Sequence, residues 1–304
     1  MAFRVASSSA SQAFLFAGTT LGGRPDGGFS LDGGTSATSG GENVQVDENG
    51  DIVLGGGKTE LAFAWIANND RGTVSKYDTR TGKEVGRYHA AIPIDGRPRP
   101  DGTIGYPNGL RGNDGNNPSR TAVDLHGDVW VANRAQSIQG SVTKIANSKA
   151  FCVDRNGNNV IDTSEDKNGD GAISTVKADG EMIIPTDWLD PTQYDECILF
   201  STPVGAPGSG VKARAMAISA GIEGTAGDIW VGLWNDKAVI KLDPVTGQQV
   251  SVNSTGQLKI DIPFPSGQGP YGAAIDSKQR LWIVSSGLSP ARLAMIDTLE
   301  GRLV

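Results

Sequence analysis

"RTAVDLHGDVWVANRAQSIQGSVTKIA" (residues 120–146) is the stretch on which the fold reading turns. Short runs rich in Val, Ala and Ile flank the turn "DLHGD", and Trp130 opens the run that follows it. Runs of this kind read as strands, and Asp and Gly supply the tight connections between them. The pattern returns in "LAFAWIANNDRGTVSKYDTRTGKEVGRY" (61–88), "RAMAISAGIEGTAGDIWVGLWNDKAVIKLDPVTGQQV" (214–250) and "YGAAIDSKQRLWIVSSGLSPARLAMIDTLEGRLV" (271–304). Each copy has a Trp followed by an apolar residue, a turn and an alternating strand; "DTRTG" and "DPVTG" repeat the Asp-Gly turn.

The anchor tryptophans are Trp65, Trp130, Trp230 and Trp282, spaced 65, 100 and 52 residues apart. Removing an insertion of about 45 residues from the long gap leaves a period near 50, with about four short strands per unit, as in a β-propeller. The expected fold is therefore all-β: a propeller of four-stranded blades over residues 59–304, with four blades legible. The anchor tryptophans are expected in the core between blades. Residues 1–58 form a Gly/Ser-rich segment ending in a hairpin, "VQVDENGDIVL", around an Asn-Gly turn.

Composition narrows the function. The 42 Gly and 15 Pro suit a fold with many turns, and a net charge of −7 argues against a nucleic-acid partner. No apolar run is long enough to span a membrane. "AFLFAG" near the start is too short for a signal peptide, so export would need a separate leader. The two cysteines, Cys152 and Cys197, bracket the insertion (150–200); a disulfide between them favours an oxidising compartment, outside the cell or at its surface. The alternative is a pair of buried thiols.

The insertion, expected between the second and third blades, opens with "CVDRNGNNVIDTSEDKNGDGAIS" (152–174). Ca²⁺ takes six to eight oxygen ligands on a flexible loop, and this spacing supplies them. In a first loop Asp154, Asn156 and Asn158 take the first, third and fifth places, the Val160 carbonyl the seventh, Asp162 the ninth and Glu165 the twelfth. Asn159 stands at the sixth, where glycine is usual. A second loop places Asp166, Asn168 and Asp170, the Ala172 carbonyl and Ser174 in the same order; Lys177 at its twelfth place cannot coordinate, and Asp179 is the substitute. A bound Ca²⁺ is expected to order an insertion poor in apolar residues, not to catalyse.

Propeller geometry brings the starts of first strands and the ends of second strands together on one face. Arg120, Arg214 and Tyr271, with Asn68, Asn133, Arg134, Trp234 and Asn235, are thereby the candidate ligand-binding residues. Guanidiniums, amides and aromatic rings suit an anionic or carbohydrate-like ligand. The competing reading has the arginines tying neighbouring blades together. The two histidines, His89 and His126, have no nucleophile or carboxylate at a catalytic spacing and read as exposed turn residues.

"NPSRTAVDLHGDVWVANR" (117–134), "GSVTKIA" (140–146), the Cys-bracketed "CVDRNGNNVIDTS" with its "DEC" (195–197), and "GPYGAAID" (269–276) resemble the streptogramin-lyase-type and NHL-like propellers of bacteria, in an uncharacterised secreted branch. The resemblance covers about residues 60–304. It implies a ring of six or seven blades, so four legible blades leave a piece of a longer propeller, a compact ring, or a unit that assembles with other chains. Lyases of the family use a His and Glu residues with Mg²⁺ on the central face. The corresponding ends here, "ANN", "ANR", "GLWN" and "VSS", carry neither. A binding, adhesion or assembly module is the resulting expectation, ahead of a lyase or lactonase or a fibre subunit.

Overall fold

The computed structural model describes residues 44–46, 52–54, 62–92, 117–134, 139–188, 190–206, 211–219 and 227–304. The turn of the N-terminal hairpin and most of the Gly/Ser-rich segment lie outside them. The hairpin's two strands are described by themselves: β1 (Val44–Val46) pairs antiparallel with β2 (Ile52–Leu54), Gln45 opposite Val53.

The remaining strands form four antiparallel sheets, the blades. Blade 1 is β3 (Phe63–Asn68), β4 (Thr73–Asp78) and β5 (Glu84–His89). Blade 2 is β6 (Pro118–Val123), β7 (Val129–Asn133), β8 (Gly140–Ile145) and β9 (Ile198–Val204). Blade 3 is β10 (Ala213–Ile218), β11 (Ile229–Leu233) and β12 (Ala238–Leu242), whose outer edge is shared by β13 (Gln249–Val250) and β14 (Lys259–Asp261). Blade 4 is β15 (Gly269–Ile275), β16 (Arg280–Ser286), β17 (Leu293–Asp297) and β18 (Arg302–Leu303). β6 lies beside both β3 and β10, and β10 beside β15, so the blades follow one another as in a β-propeller. Blade 1 shows three strands among the described residues, because β3 corresponds to the second strand of the other blades.

The repeated tryptophans are why the sheets stack. A separate apolar core fills each junction: Trp65 with Val131 and Ile198 between blades 1 and 2, Trp130 with Met216 and Val231 between 2 and 3, Trp230 with Leu281 and Ile283 between 3 and 4. Trp282, on blade 4, is half-buried. Its indole and that of Trp130 are held alike: Nε1 donates to Asp276 Oδ2 and to Asp124 Oδ2, both at 3.0 Å. The same aspartates close the preceding turns, Asp124 Oδ1 accepting from His126 N and Asp128 N, and Asp276 Oδ1 from Lys278 N and Arg280 N. Opposite the tryptophans, the third strand carries Lys76, Lys144 and Lys241 in the first three blades and Met295 in the fourth.

The insertion is placed differently from the expectation. It leaves β8 and returns into β9, inside blade 2, because the strand that completes that sheet comes after it. Among the described residues its only helical pieces are three-residue 3₁₀ turns. The Cys152–Cys197 disulfide closes it, at a sequence separation of 45. His89 is also a correction: it is buried at the end of β5, edge-on to Trp188 with ring centroids 4.8 Å apart. His126 lies in the β6–β7 turn as expected.

Candidate functional site

Three blades carry a β-bulge at the same point of the first strand. The register slips between Pro118 and Arg120, between Ala213 and Ala215, and between Pro270 and Gly272. The extra residues are Ser119, Arg214 and Tyr271. A bulged residue leaves the ladder and re-aims its side chain at the sheet rim. Two of them, Arg214 and Tyr271, meet there, joined by Arg120, the residue after the blade 2 bulge.

The Tyr271 ring is in contact with two guanidiniums, the Arg120 Cζ 4.4 Å and the Arg214 Cζ 4.3 Å from its centroid. Arg120 also donates to the Ser119 carbonyl at 2.8 Å. Arg134, just past β7, donates to Asn69 Oδ1 of blade 1. A hydrogen bond from Arg120, then the Arg214 charge, holds the Tyr271 phenol below its ordinary range. Burial is the main cause that lowers Arg134 and Arg214; the fields of neighbouring guanidiniums add to it, Arg120 acting on both. Among the described residues no carboxylate lies within ion-pair distance of Arg120, Arg134 or Arg214. The Nε atoms of Arg134 and Arg214 are buried without a hydrogen-bond partner among those residues. Three positive groups therefore converge around one aromatic ring.

The other predicted rim residues divide. Trp234 joins the rim, its Nε1 donating to Ser286 Oγ at 3.1 Å across the blade 3–blade 4 junction. Asn68 and Asn133 serve the scaffold: Asn68 Nδ2 donates to Thr73 and Ser75 hydroxyls, and Asn133 Nδ2 to the Ala90 carbonyl, Ser141 and Thr143. Asn235 is exposed in the β11–β12 turn. Asn69 and Ser286 are the rim residues that sequence reasoning missed; Asn69 follows the last residue of β3, and Ser286 is the last residue of β16.

The two loops of the insertion share one conformation. In each, the leading carboxylate accepts from the fourth and sixth backbone N–H: Asp154 from Gly157 and Asn159, Asp166 from Gly169 and Gly171. Those four residues all have positive φ, including Asn159 at 63°, the left-handed place where asparagine replaces glycine. Asn156 and Asn168 fold back on the N–H groups of Asn158 and Asp170; Asn158 and Asp170 do so on those of Val160 and Ala172.

A buried glutamate from outside the loop holds each one. Glu196 accepts from Arg155 N, Asn156 N and Asp162 N, and its carbonyl accepts from Val153 N. Glu181 accepts from Ser174 N, and its carbonyl from Glu165 N. Both glutamates are buried. Glu165 itself faces away, paired with Lys149 at 2.7 Å, while Ser174 is bonded to Asp179. The second loop docks on blade 1, where Ile173 N donates to Glu84 Oε2 and Glu84 N to the Gly171 carbonyl. Among the described residues no set of three or more His, Cys, Asp or Glu side chains gathers as a metal centre. What the loops offer is an oxygen-only set of single carboxylates, amides and the Val160 and Ala172 carbonyls, which fits a hard cation.

No protein-family model and no curated protein matches the chain. Solved structures similar to it include a streptogramin B lyase (13% identity over 79% of this chain and 52% of that chain, TM-score 0.37). A glucose dehydrogenase (15%, 82% and 62%, TM-score 0.36) and a luciferin-regenerating enzyme (13%, 81% and 72%, TM-score 0.35) are also similar. The chain spans about half the length of the first of these. No helix among the described residues is long and apolar enough to cross a membrane.

Proposed function

We propose that this chain is an extracellular binding module, a calcium-ordered propeller whose rim takes an anionic or carbohydrate-like ligand at Arg120, Arg134, Arg214 and Tyr271. The observation that carries this reading is the convergence of three guanidiniums on one phenol with no carboxylate at ion-pair distance among the described residues. Guanidiniums bind carboxylate, sulfate and phosphate through paired hydrogen bonds.

Calorimetric titration with citrate and with inorganic phosphate tests it. Saturable binding is expected with at least one of them, weakened about tenfold by Arg214→Ala and by raising NaCl from 0.05 to 0.5 M. Absence of saturable heat with both anions removes the reading. The phenol adds a pH signature. Its pKa lies below the ordinary value of about 10, so as pH rises towards it the phenol gains negative charge and anion affinity falls. Tyr271→Phe should keep the affinity flat through that range.

Calcium, where bound, supplies charge neutralisation and cross-linking of loop oxygens. The loops are wrapped around Asp154 and Asp166; Glu196 holds both the start and the ninth place of the first, and Glu181 the ninth place of the second. At a free concentration a hundred times the dissociation constant, binding to the folded state alone adds about 2.7 kcal/mol. Thermal unfolding in 1 mM CaCl₂ should run several degrees above that in EGTA; equal midpoints would remove the calcium role.

A further inference from the structure

We propose that the cleft between blade 1 and the insertion is a second site, in which the Lys76 side chain captures a small aldehyde as an imine. The repeat itself exposes Lys76 as unusual. In blades 2 and 3 an aspartate two residues before the tryptophan neutralises the cross-strand lysine: Lys144 Nζ lies 3.4 Å from Asp128 and 3.1 Å from Asp124, and Lys241 Nζ lies 3.4 Å from Asp228. In blade 1 that position is Phe63. Lys76 Nζ instead sits 3.9 Å from the Phe63 ring centroid and 5.3 Å from that of Trp65, and donates to the Asn147 carbonyl.

Aromatic faces attract an ammonium, but less strongly than the carboxylate they replace. Lys76 is buried, and burial pulls its pKa down to about 8, against the raising field of Asp128 on blade 2. The other titratable groups around the cleft are Asp78, Tyr88 and the exposed Lys149–Glu165 pair. The cleft holds about 350 Å³, with Phe63, Val85 and Tyr88 as its apolar wall. That is room for a small organic molecule.

The chemistry balances without a further reactant. The neutral amine adds to the aldehyde carbon; the carbonyl oxygen leaves as water with both amine hydrogens, and a C=N bond joins Lys76 to the ligand. At pH 7.5 about 0.2 of such an amine is neutral, against about 0.001 for an ordinary lysine, so a roughly two-hundredfold advantage is available before access is counted.

The test is reductive trapping on the intact protein with butanal and sodium cyanoborohydride at pH 7.5, followed by peptide mapping. Lys76 should be alkylated at least ten times faster than Lys167 and Lys278; an equal or slower rate overturns the proposal. Phe63→Asp restores the carboxylate that blades 2 and 3 carry, and should abolish the preference while the melting curve is retained. A preference that survives in a folded Phe63→Asp protein also overturns it. Lys76→Met copies Met295, the residue opposite Trp282 in blade 4, and should remove the fast adduct alone. A fast adduct persisting in that variant places the reactive amine elsewhere and equally overturns it.

Discussion

Replacing Cys152 and Cys197 together by alanine is expected to lower stability by roughly 4 kcal/mol, the chain-entropy value for a bridge closing a separation of 45 residues. The bridge is the covalent link between the exit from β8 and the entry to β9. Without it the insertion is tethered by its polar contacts and by a few apolar side chains, Tyr194, Ile161 and Trp188 among them, that pack on the core between blades 1 and 2. Urea unfolding of the double variant should therefore show a first transition from the insertion ahead of the blades. A change below about 1 kcal/mol would mean that the hydrogen-bond framework suffices alone.

Glu196→Gln tests that framework. The substitution keeps size and shape but turns one accepting oxygen into a donor. Arg155 N at 2.7 Å and Asp162 N at 2.8 Å approach different oxygens of this carboxylate, so one of them must lose its partner whichever way the amide is turned. Leaving a buried N–H unsatisfied and opposing it with a second donor costs roughly 3 kcal/mol, more than an ordinary hydrogen bond because the acceptor was charged. Glu181→Gln, which holds the second loop through Ser174 N, should cost roughly 1–2 kcal/mol. Urea midpoints of the two variants check the ranking. Equal losses would show that the loops are held by their internal turns rather than by the two glutamates.

Much of the propeller could be read from the chain because its junctions depend on residues that recur. Trp130 and Trp230 fill consecutive cores, and Asp124 and Asp276 each close a turn and cap a tryptophan six residues on. The loop wrap was equally legible, since Asn159 adopts the left-handed backbone that its place in the spacing requires. What could not be read was long-range or silent. Glu196 bonds Asp162 across 34 residues, and no local spacing announces such a partner. Glu165 was assigned to the loop by counting, whereas Lys149 draws it outward. The bulges have no spelling at all: Ser119, Arg214 and Tyr271 share a backbone position and nothing else.

Because Arg214 and Tyr271 stand outside the hydrogen-bond ladder, while Arg120 pairs with Ala132 within it, those two identities can change without disturbing strand pairing, and exchanging them alters the chemistry of the mouth. A scaffold so arranged separates part of what it recognises from what keeps it folded, so descendants could retune two positions of the lining at little cost to the sheets.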